Sequence, residues 1–206
     1  MDIKKLKKAA SNFLEKYPGG FYHPEMIEMG KKHKMDKMVA LAQGSFAKQN
    51  FKNPDEITNS MLKIVTQSSL ISIFEKPKFR DFIKRTPPND KVLIAKGLKE
   101  LLYGNEQEGF EELLFHFQRE KLAKWTLMTV FQAYFNPEVD VFIKPTTTKN
   151  IIKELNLDIV YNPTPSWEFY ESYRNIINQM KTKIEKSLAP SNAAFCGFLM
   201  MSLDDR

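Results

Sequence analysis

The chain has 206 residues, of which 42% are hydrophobic and 27% charged, a composition typical of a soluble globular protein. Its eight glycines exclude a collagen-like chain, and its single cysteine, Cys196, excludes an intrachain disulfide framework and a Cys-based metal cage. The formal charge is +6 and the isoelectric point is about 9.2. The length predicts a single domain over residues 1–206.

The sequence contains no pattern typical of a secretion signal or a membrane anchor. The basic segment 1–8 is not followed by an apolar region with a cleavage site. The most apolar stretch, residues 192–203, is about a dozen residues long, whereas a helix that spans a bilayer needs about 20. We therefore expect a cytoplasmic protein that has no membrane partner.

Apolar residues recur at three- and four-residue spacing along the first half of the chain, which is typical of amphipathic helices. The predicted helices there are one capped by Asp2 and stopped by Pro18, one from Pro24, one from about 36 to 48, one opened by Asn53-Pro54 that runs to about Phe74, a short basic one over 79–85, and one capped by Asn89 that ends before Gly104.

The second half continues the helical pattern, with two ambiguous segments. The predicted helices are 107–122, 123–135, one capped by Thr146 or Thr147, one capped by Ser166, and a last one capped by Ser191 that is apolar nearly all round. Residues 139–143 and 157–161 are each either a short strand or an extended connection. We therefore predict an all-α domain of about nine to eleven helices, or an α domain with one minor β pairing.

The positive charge is concentrated near the start of the chain. Residues 1–85 carry a net charge of +8, whereas residues 86–206 carry −2. This asymmetry suggests a basic N-terminal subdomain over 1–85 and a helical core over 86–206. The lysines that form two local clusters are Lys4, Lys5, Lys7, Lys8, Lys31, Lys32, Lys34 and Lys37.

Few residues are arranged for metal binding or catalysis. The three histidines, His23, His33 and His116, form no pair at metal-ligand spacing, and no glycine-rich phosphate loop is present. We expect neither a metal nor a cofactor, and no catalytic residue is assigned. Glu108, Glu112 and His116 share a helical face, which predicts either an acid–base group or an exposed polar face. Cys196 lies in an apolar segment, where its thiol pKa should rise.

The segment from Lys144 to Lys149 is a candidate anion site. Thr146 and Thr147 supply hydroxyls at a predicted helix start, where backbone N–H groups are unpaired and the dipole favours anions. The alternative is a well-capped helix with ordinary surface lysines.

Three residues further along have the spacing of one helical face. Trp167, Tyr170 and Arg174 follow an i, i+3, i+7 pattern. Aromatic rings beside an arginine stack on nucleic-acid bases in many proteins, and the same spacing is also typical of a buried core face.

From Trp125 to Leu203 the chain resembles an uncharacterised family of bacterial helical proteins. The resemblance rests on the Trp-Thr-Leu start, the FIKPT segment from Phe142 to Thr146, and the Pro-x-Trp-x-x-Tyr segment from Pro165 to Tyr170. It implies a helical fold and no activity that can be named.

A second, partial resemblance covers about fifty residues. Trp125-Thr126, the segment 137–142 and the later Trp-x-x-Tyr-x-x-Tyr pattern are similar in layout to the second half of helix-hairpin-helix DNA glycosylases. The chain departs from that family at two decisive places. The glycine hairpin is absent from 118–124, and Lys144-Pro145 stands where the catalytic aspartate is expected. The resemblance therefore implies at most a degenerate, DNA-binding relative.

The patterns together favour a non-enzymatic helical module that binds nucleic acid or a protein partner through its lysine-rich N-terminal part. A homodimer is an alternative, since the apolar last helix is either core or a dimer contact. An enzyme of unrecognised type is another, with its site near Lys144, Thr146, Tyr161 and Trp167.

Overall fold

The computed structural model describes residues 1–203, where all the regular secondary structure is helical, which confirms the predicted all-α class and helix number. Short 3-10 turns cover Gly20–Tyr22, Lys48–Lys52 and Lys186–Leu188. The α-helices are α1 (Ile3–Lys16), α2 (Pro24–His33), α3 (Met35–Ser45), α4 (Pro54–Gln67), α5 (Glu75–Arg85), α6 (Pro88–Tyr103), α7 (Glu106–Arg119), α8 (Trp125–Phe135), α9 (Pro145–Glu154), α10 (Trp167–Lys181) and α11 (Asn192–Leu203).

Four of the predicted N-caps are confirmed by hydrogen bonds from backbone N–H groups. The side chain of Asp2 accepts from Lys5, and that of Asn53 accepts from Glu56. Ser166 and Ser191 cap α10 and α11 in the same way. These short polar side chains satisfy N–H groups that have no partner inside the helix.

Helix α4 ends at Gln67, so the prediction that it continues to Phe74 was wrong. Ser68 leaves the helical conformation, and its hydroxyl accepts from the N–H of Leu70 at 3.0 Å. The same hydroxyl bonds the phenol of Tyr134 at 2.8 Å, in the buried core. A serine side chain that offers the backbone another partner competes with helix continuation.

Two predicted helix starts were also wrong, by two or three residues. Pro87 rather than Asn89 is the N-cap of α6, and Pro88 occupies its first position. Lys144 rather than Thr146 or Thr147 is the N-cap of α9, with Pro145 at the first position. Proline suits that position because its ring fixes φ and the missing N–H has no helical acceptor there.

The two ambiguous segments are extended connections, and neither pairs as a strand within the described residues. In the first, Val141 and Ile143 are fully buried, and the N–H of Ile143 donates to the hydroxyl of Thr129 at 3.0 Å. In the second, Asn156 adopts a left-handed conformation, and the N–H of Leu157 donates to the carbonyl of Ile152 at the end of α9. Side chains and helix ends thus supply the partners that a second strand would have given.

One hydrophobic cluster joins the beginning and the end of the described chain. Helix α8 is its centre, since nine of its eleven residues are buried. Helices α3, α4, α6 and α7 pack on α8, while α1 and α9 pack on α11. The apolar face of α11 is therefore used within the chain, where Phe195, Phe198 and Leu199 have no exposed surface.

Helices α6 and α7 form a hairpin that crosses at two glycines. A Cβ atom added to Gly109 would lie 2.1 Å from the backbone nitrogen of Leu101 and 2.5 Å from the carbonyl oxygen of Gly97. This approach leaves no room for any side chain at position 109.

Candidate functional site

Helix α1 presents three lysines on the face opposite its core residues. Lys4, Lys7 and Lys8 are exposed, whereas Leu6 and Phe13 are buried. None of the three lysines forms an ion pair with another residue in 1–203. Within the described part of the chain, these three lysines therefore have no carboxylate partner. The start of α1 is anchored, since the N–H of its N-cap Asp2 donates to the carbonyl of Leu155 at 2.7 Å.

The fourth lysine of this cluster has a structural partner. The ammonium of Lys5 binds the carboxylate of Glu154 at the end of α9. The hydrogen bond from Lys5 lowers the pKa of Glu154 below its ordinary value. This contact fixes α1 on α9.

The second lysine cluster forms the corner between α2 and α3. Lys31, Lys32 and Lys34 are exposed, and Lys34 turns the chain with φ 53°. Lys31 pairs with Glu28 at 2.7 Å, while Lys32 and Lys34 form no ion pair within 1–203. We call this segment, residues 31–34, the basic corner.

The two lysine clusters lie on elements with different packing neighbours. Helix α1 packs on α11, whereas α3 packs on α4 and α8. Each cluster is therefore a separate candidate contact, and each can be altered without the other.

The α9 start combines exposed cations with first-turn N–H groups, as the sequence suggested. Lys144, Thr146 and Lys149 are exposed, while the hydroxyl of Thr147 lies 3.8 Å from the sulfur of Met200. The ammonium of Lys149 stands 5.1 Å from the centre of the Tyr161 ring. This cation–π contact gives Lys149 a structural partner as well.

The suggested stacking residues are largely part of the core, which corrects the stacking prediction for Tyr170. Its side chain is completely buried and its ring stacks on Phe110, with centroids 5.7 Å apart. Arg174 lies over both Trp167 and Tyr170 at 5.4 Å. Trp167 and Arg174 each keep part of their surface exposed. Core packing explains the i, i+3, i+7 spacing of these residues, because a buried helical face and a base-stacking face give the same sequence pattern.

Arg174 and Tyr170 belong to a buried polar network centred on Asp140. Asp140, 5% exposed, accepts from Arg174 at 2.8 Å, from the phenol of Tyr170 at 2.9 Å and from Asn136 at 3.2 Å. Arg174 also donates to Glu106 at 2.6 Å. The network joins α7 and α10 to the connection between α8 and α9.

The charges of this network oppose the cost of burial. Burial raises the pKa of the Asp140 carboxyl, while the hydrogen bond from Arg174 lowers it. Burial lowers the pKa of the Arg174 guanidinium, but hydrogen bonds to Asp140 and Glu106 outweigh it and leave that pKa raised. The ionised pair is favoured, because the guanidinium of Arg174 and the amide of Asn136 each donate to one of the two carboxylate oxygens of Asp140, and neither group can accept a proton.

This network was not predicted from the sequence. The available signal was a single acidic residue, Asp140, between Val139 and the apolar run 141–143, since an unpaired carboxylate is almost never buried.

The other candidate chemical groups have ordinary structural partners. His116 is buried and its ring nitrogen lies 3.1 Å from the carboxylate of Glu112, while Glu108 accepts from Asn105 at 2.8 Å. The structure therefore joins two members of the suggested acid–base face and not the third. Desolvation by its apolar surroundings raises the pKa of the Cys196 thiol to about 12, although the residue as a whole is only partly buried.

The loop between α4 and α5 exposes two large apolar side chains that the sequence analysis had placed inside a helix. Ile73 is 72% exposed and Phe74 is 76% exposed. The same loop contacts the basic corner, since Ser69 lies 3.1 Å from the ring nitrogen of His33. We call residues 69–74 the apolar loop.

The surface grooves are shallow and open. One, of about 460 Å³, lies beside α5 and contains the ion pair of Arg85 with Glu120 at 3.1 Å. Its lining residues are Lys78, Asp81, Lys84, Arg85, Glu120 and Leu122. Its carboxylates offset most of its positive charge.

In residues 1–203, no group of side chains has the composition and proximity of a metal site. Over the same residues, no helix is both long enough and apolar enough to cross a bilayer. Comparison of the chain with protein-family models, with curated proteins and with solved structures found no match.

Proposed function

We propose that the protein is a non-enzymatic helical module that binds nucleic acid through phosphate contacts from its N-terminal lysines. One observation supports this most directly. Of the eight clustered lysines, six are exposed and form no ion pair within 1–203: Lys4, Lys7, Lys8, Lys32, Lys34 and Lys37.

Unpaired ammonium groups are suited to phosphate because binding releases the counterions condensed on nucleic acid. Each phosphate contact contributes a slope of about −0.9 on duplex DNA, or about −0.7 on a single strand, to log K against log salt. Lysine acts as a point charge, and its phosphate contacts position the protein on the nucleic acid without reading the base sequence. We therefore expect salt-sensitive binding with weak sequence preference.

The test is fluorescence anisotropy of labelled DNA and RNA at increasing salt. Replacing Lys4, Lys7 and Lys8 with glutamine should reduce the magnitude of the slope by about two to three, since each contributes about 0.7 to 0.9. The matched control replaces Lys96, Lys99 and Lys183, three exposed lysines outside the N-terminal part, and removes the same charge. It should leave the slope unchanged.

Two results would contradict the proposal. One is the absence of salt-sensitive binding by the unaltered protein. The other is an equal loss in both triple variants, which would mean that net charge alone, rather than α1, attracts the nucleic acid.

Binding of a protein partner or of a second copy stays an alternative prediction. Size-exclusion chromatography with light scattering tests this alternative, because a dimer or a co-purifying protein changes the measured mass. Helix α11 offers limited support for a dimer, since its phenylalanines are buried within the chain.

A further inference from the structure

We propose that the apolar loop and the basic corner together form a contact for single-stranded nucleic acid, in which Phe74 stacks on an unpaired base and Lys32 and Lys34 bind neighbouring phosphates. This inference rests on the proposed nucleic-acid binding and adds the type of strand and an aromatic contact.

The structure brings these two elements together although they are about forty residues apart in the chain. The hydroxyl of Ser69 lies 3.1 Å from the Nδ1 atom of His33 and 3.5 Å from its carbonyl oxygen. Phe74 is five residues beyond Ser69, and five residues of chain span at most about 18 Å. A short oligonucleotide, of the length that single-strand binding domains cover, therefore reaches both Phe74 and the basic corner.

Phe74 is held in place although its ring is exposed. Its N–H donates to the hydroxyl of Ser72 at 3.2 Å, and the N–H of Ser72 donates to the carboxylate of Glu75 at 3.3 Å. Glu75 in turn accepts from Thr126 of α8 at 2.9 Å. Ile71, on the other side, is buried in the core. A loop fixed in this way presents a ring to a ligand with little further loss of conformational entropy.

The charges around the loop favour a polyanion. Lys32 and Lys34 flank His33, which contacts Ser69, and Lys78 is exposed on α5 four residues after Phe74. Two carboxylates of these elements are engaged, since Glu28 pairs with Lys31 and Glu75 bonds Thr126, while Asp36 forms no ion pair within 1–203. Exposed aromatic rings beside such cations are the combination with which proteins bind single strands. A duplex offers this ring no free base face, because its bases stack on one another.

The experiment compares Phe74→Ala with Phe115→Ala, which removes another exposed phenylalanine, 56% exposed, from the glutamate-bearing helix α7. Affinity for a labelled oligothymidylate and for a duplex of equal length is measured by anisotropy at several salt concentrations. Phe74→Ala should weaken binding to the single strand about tenfold and leave the salt slope unchanged, because a phenylalanine releases no counterion. Phe115→Ala should change neither quantity.

Replacing Lys32 and Lys34 with glutamine gives the complementary result. The slope on the single strand should decrease in magnitude by about 1.4 for the pair. Thermal unfolding by circular dichroism should show a cooperative transition in all these variants, since every altered side chain is exposed.

Several outcomes would overturn the inference. One is an equal loss of affinity for the single strand in Phe74→Ala and Phe115→Ala. Another is tighter binding to the duplex than to the single strand. The third is that Phe74→Ala no longer sediments with phosphatidylserine vesicles while its binding to oligothymidylate is unchanged. If the unaltered protein shows no salt-sensitive binding, the proposed function fails too. If the α1 triple variant weakens binding and Phe74→Ala does not, the proposed function stands and this inference alone fails.

Discussion

Replacing Gly109 with alanine tests the closest helix contact of the fold. The added methyl carbon would lie 2.1 Å from the backbone nitrogen of Leu101, whereas favourable contacts between heavy atoms begin near 3.5 Å. Helices α6 and α7 would have to separate locally by about 1.4 Å, the difference between these distances. The obstructing atoms belong to the backbone, so no rotamer change relieves the contact.

The magnitude follows from two opposing contributions. Overpacking of a close contact costs about 1–3 kcal/mol and sometimes more, and backbone obstruction places Gly109→Ala at the upper end. Alanine gains about 1 kcal/mol over glycine in a helix interior. We therefore expect a net destabilisation of about 2 kcal/mol or more, the difference between these contributions.

The assay is urea unfolding followed by circular dichroism, with Gly30→Ala as the matched control. Position 30 is also inside a helix, and a Cβ there meets no atom within 4 Å. The control should be more stable than the unaltered protein by about 0.5–1 kcal/mol. A Gly109→Ala variant that is as stable as Gly30→Ala would refute the close approach of α6 and α7.

Two further predictions concern buried polar groups. Arg174→Met leaves the carboxylate of Asp140 buried without its cation and should destabilise the protein by about 3–5 kcal/mol in urea unfolding. Adding Asp140→Asn should recover part of that loss. If the effects of the two substitutions are purely additive, the ion pair is contradicted. Cys196, with a thiol pKa of about 12 against an ordinary 9.0, should react with iodoacetamide at pH 8 about a thousandfold more slowly in the folded than in the unfolded chain, as measured by mass spectrometry. Because the folded pKa is raised, this thiol's contribution to stability is present below pH 9 and declines as pH rises towards 12. Equal alkylation rates would contradict the desolvation of the thiol.

Local signals were enough to predict most of the fold. Asp2, Asn53, Ser166 and Ser191 cap helices through atoms at most three residues away. A sequence pattern contains all the information that such a contact needs. The end of α4 depends instead on Ser68 and Tyr134, whose side chains are 66 residues apart in the chain. No local pattern predicts that pairing.

The candidate site was predictable only in part, for the same reason. The exposure of Lys4, Lys7 and Lys8 follows from their position off the apolar stripe of α1. The exposure of Phe74 does not, because the chain leaves the helix at Ser68, and the helical face predicted for residue 74 therefore does not apply. The burial of Tyr170 depends on Asp140, which lies 30 residues earlier in the chain.

The lysines of α1 are the more informative of the two clusters, because helix physics disfavours them where they stand. Lys4 lies at the positive end of the helix dipole, where the first turn contains no acidic residue and the carboxylate of the N-cap Asp2 is bonded to the N–H of Lys5. Lys4 also repels Lys8 at i+4, at a cost of about 0.2–0.5 kcal/mol. The basic corner differs, since Lys31 and Lys32 occupy the last turn of α2, where the dipole favours cations.

Local features that cost stability are expected mainly where function requires them. Replacing Lys4, Lys7 and Lys8 with glutamine should therefore raise the free energy of unfolding by a few tenths of a kcal/mol while it weakens nucleic-acid binding. Urea unfolding and anisotropy on the same variant measure both effects. A variant that loses stability together with binding would indicate that these lysines serve the fold, and the functional interpretation of α1 would then fail.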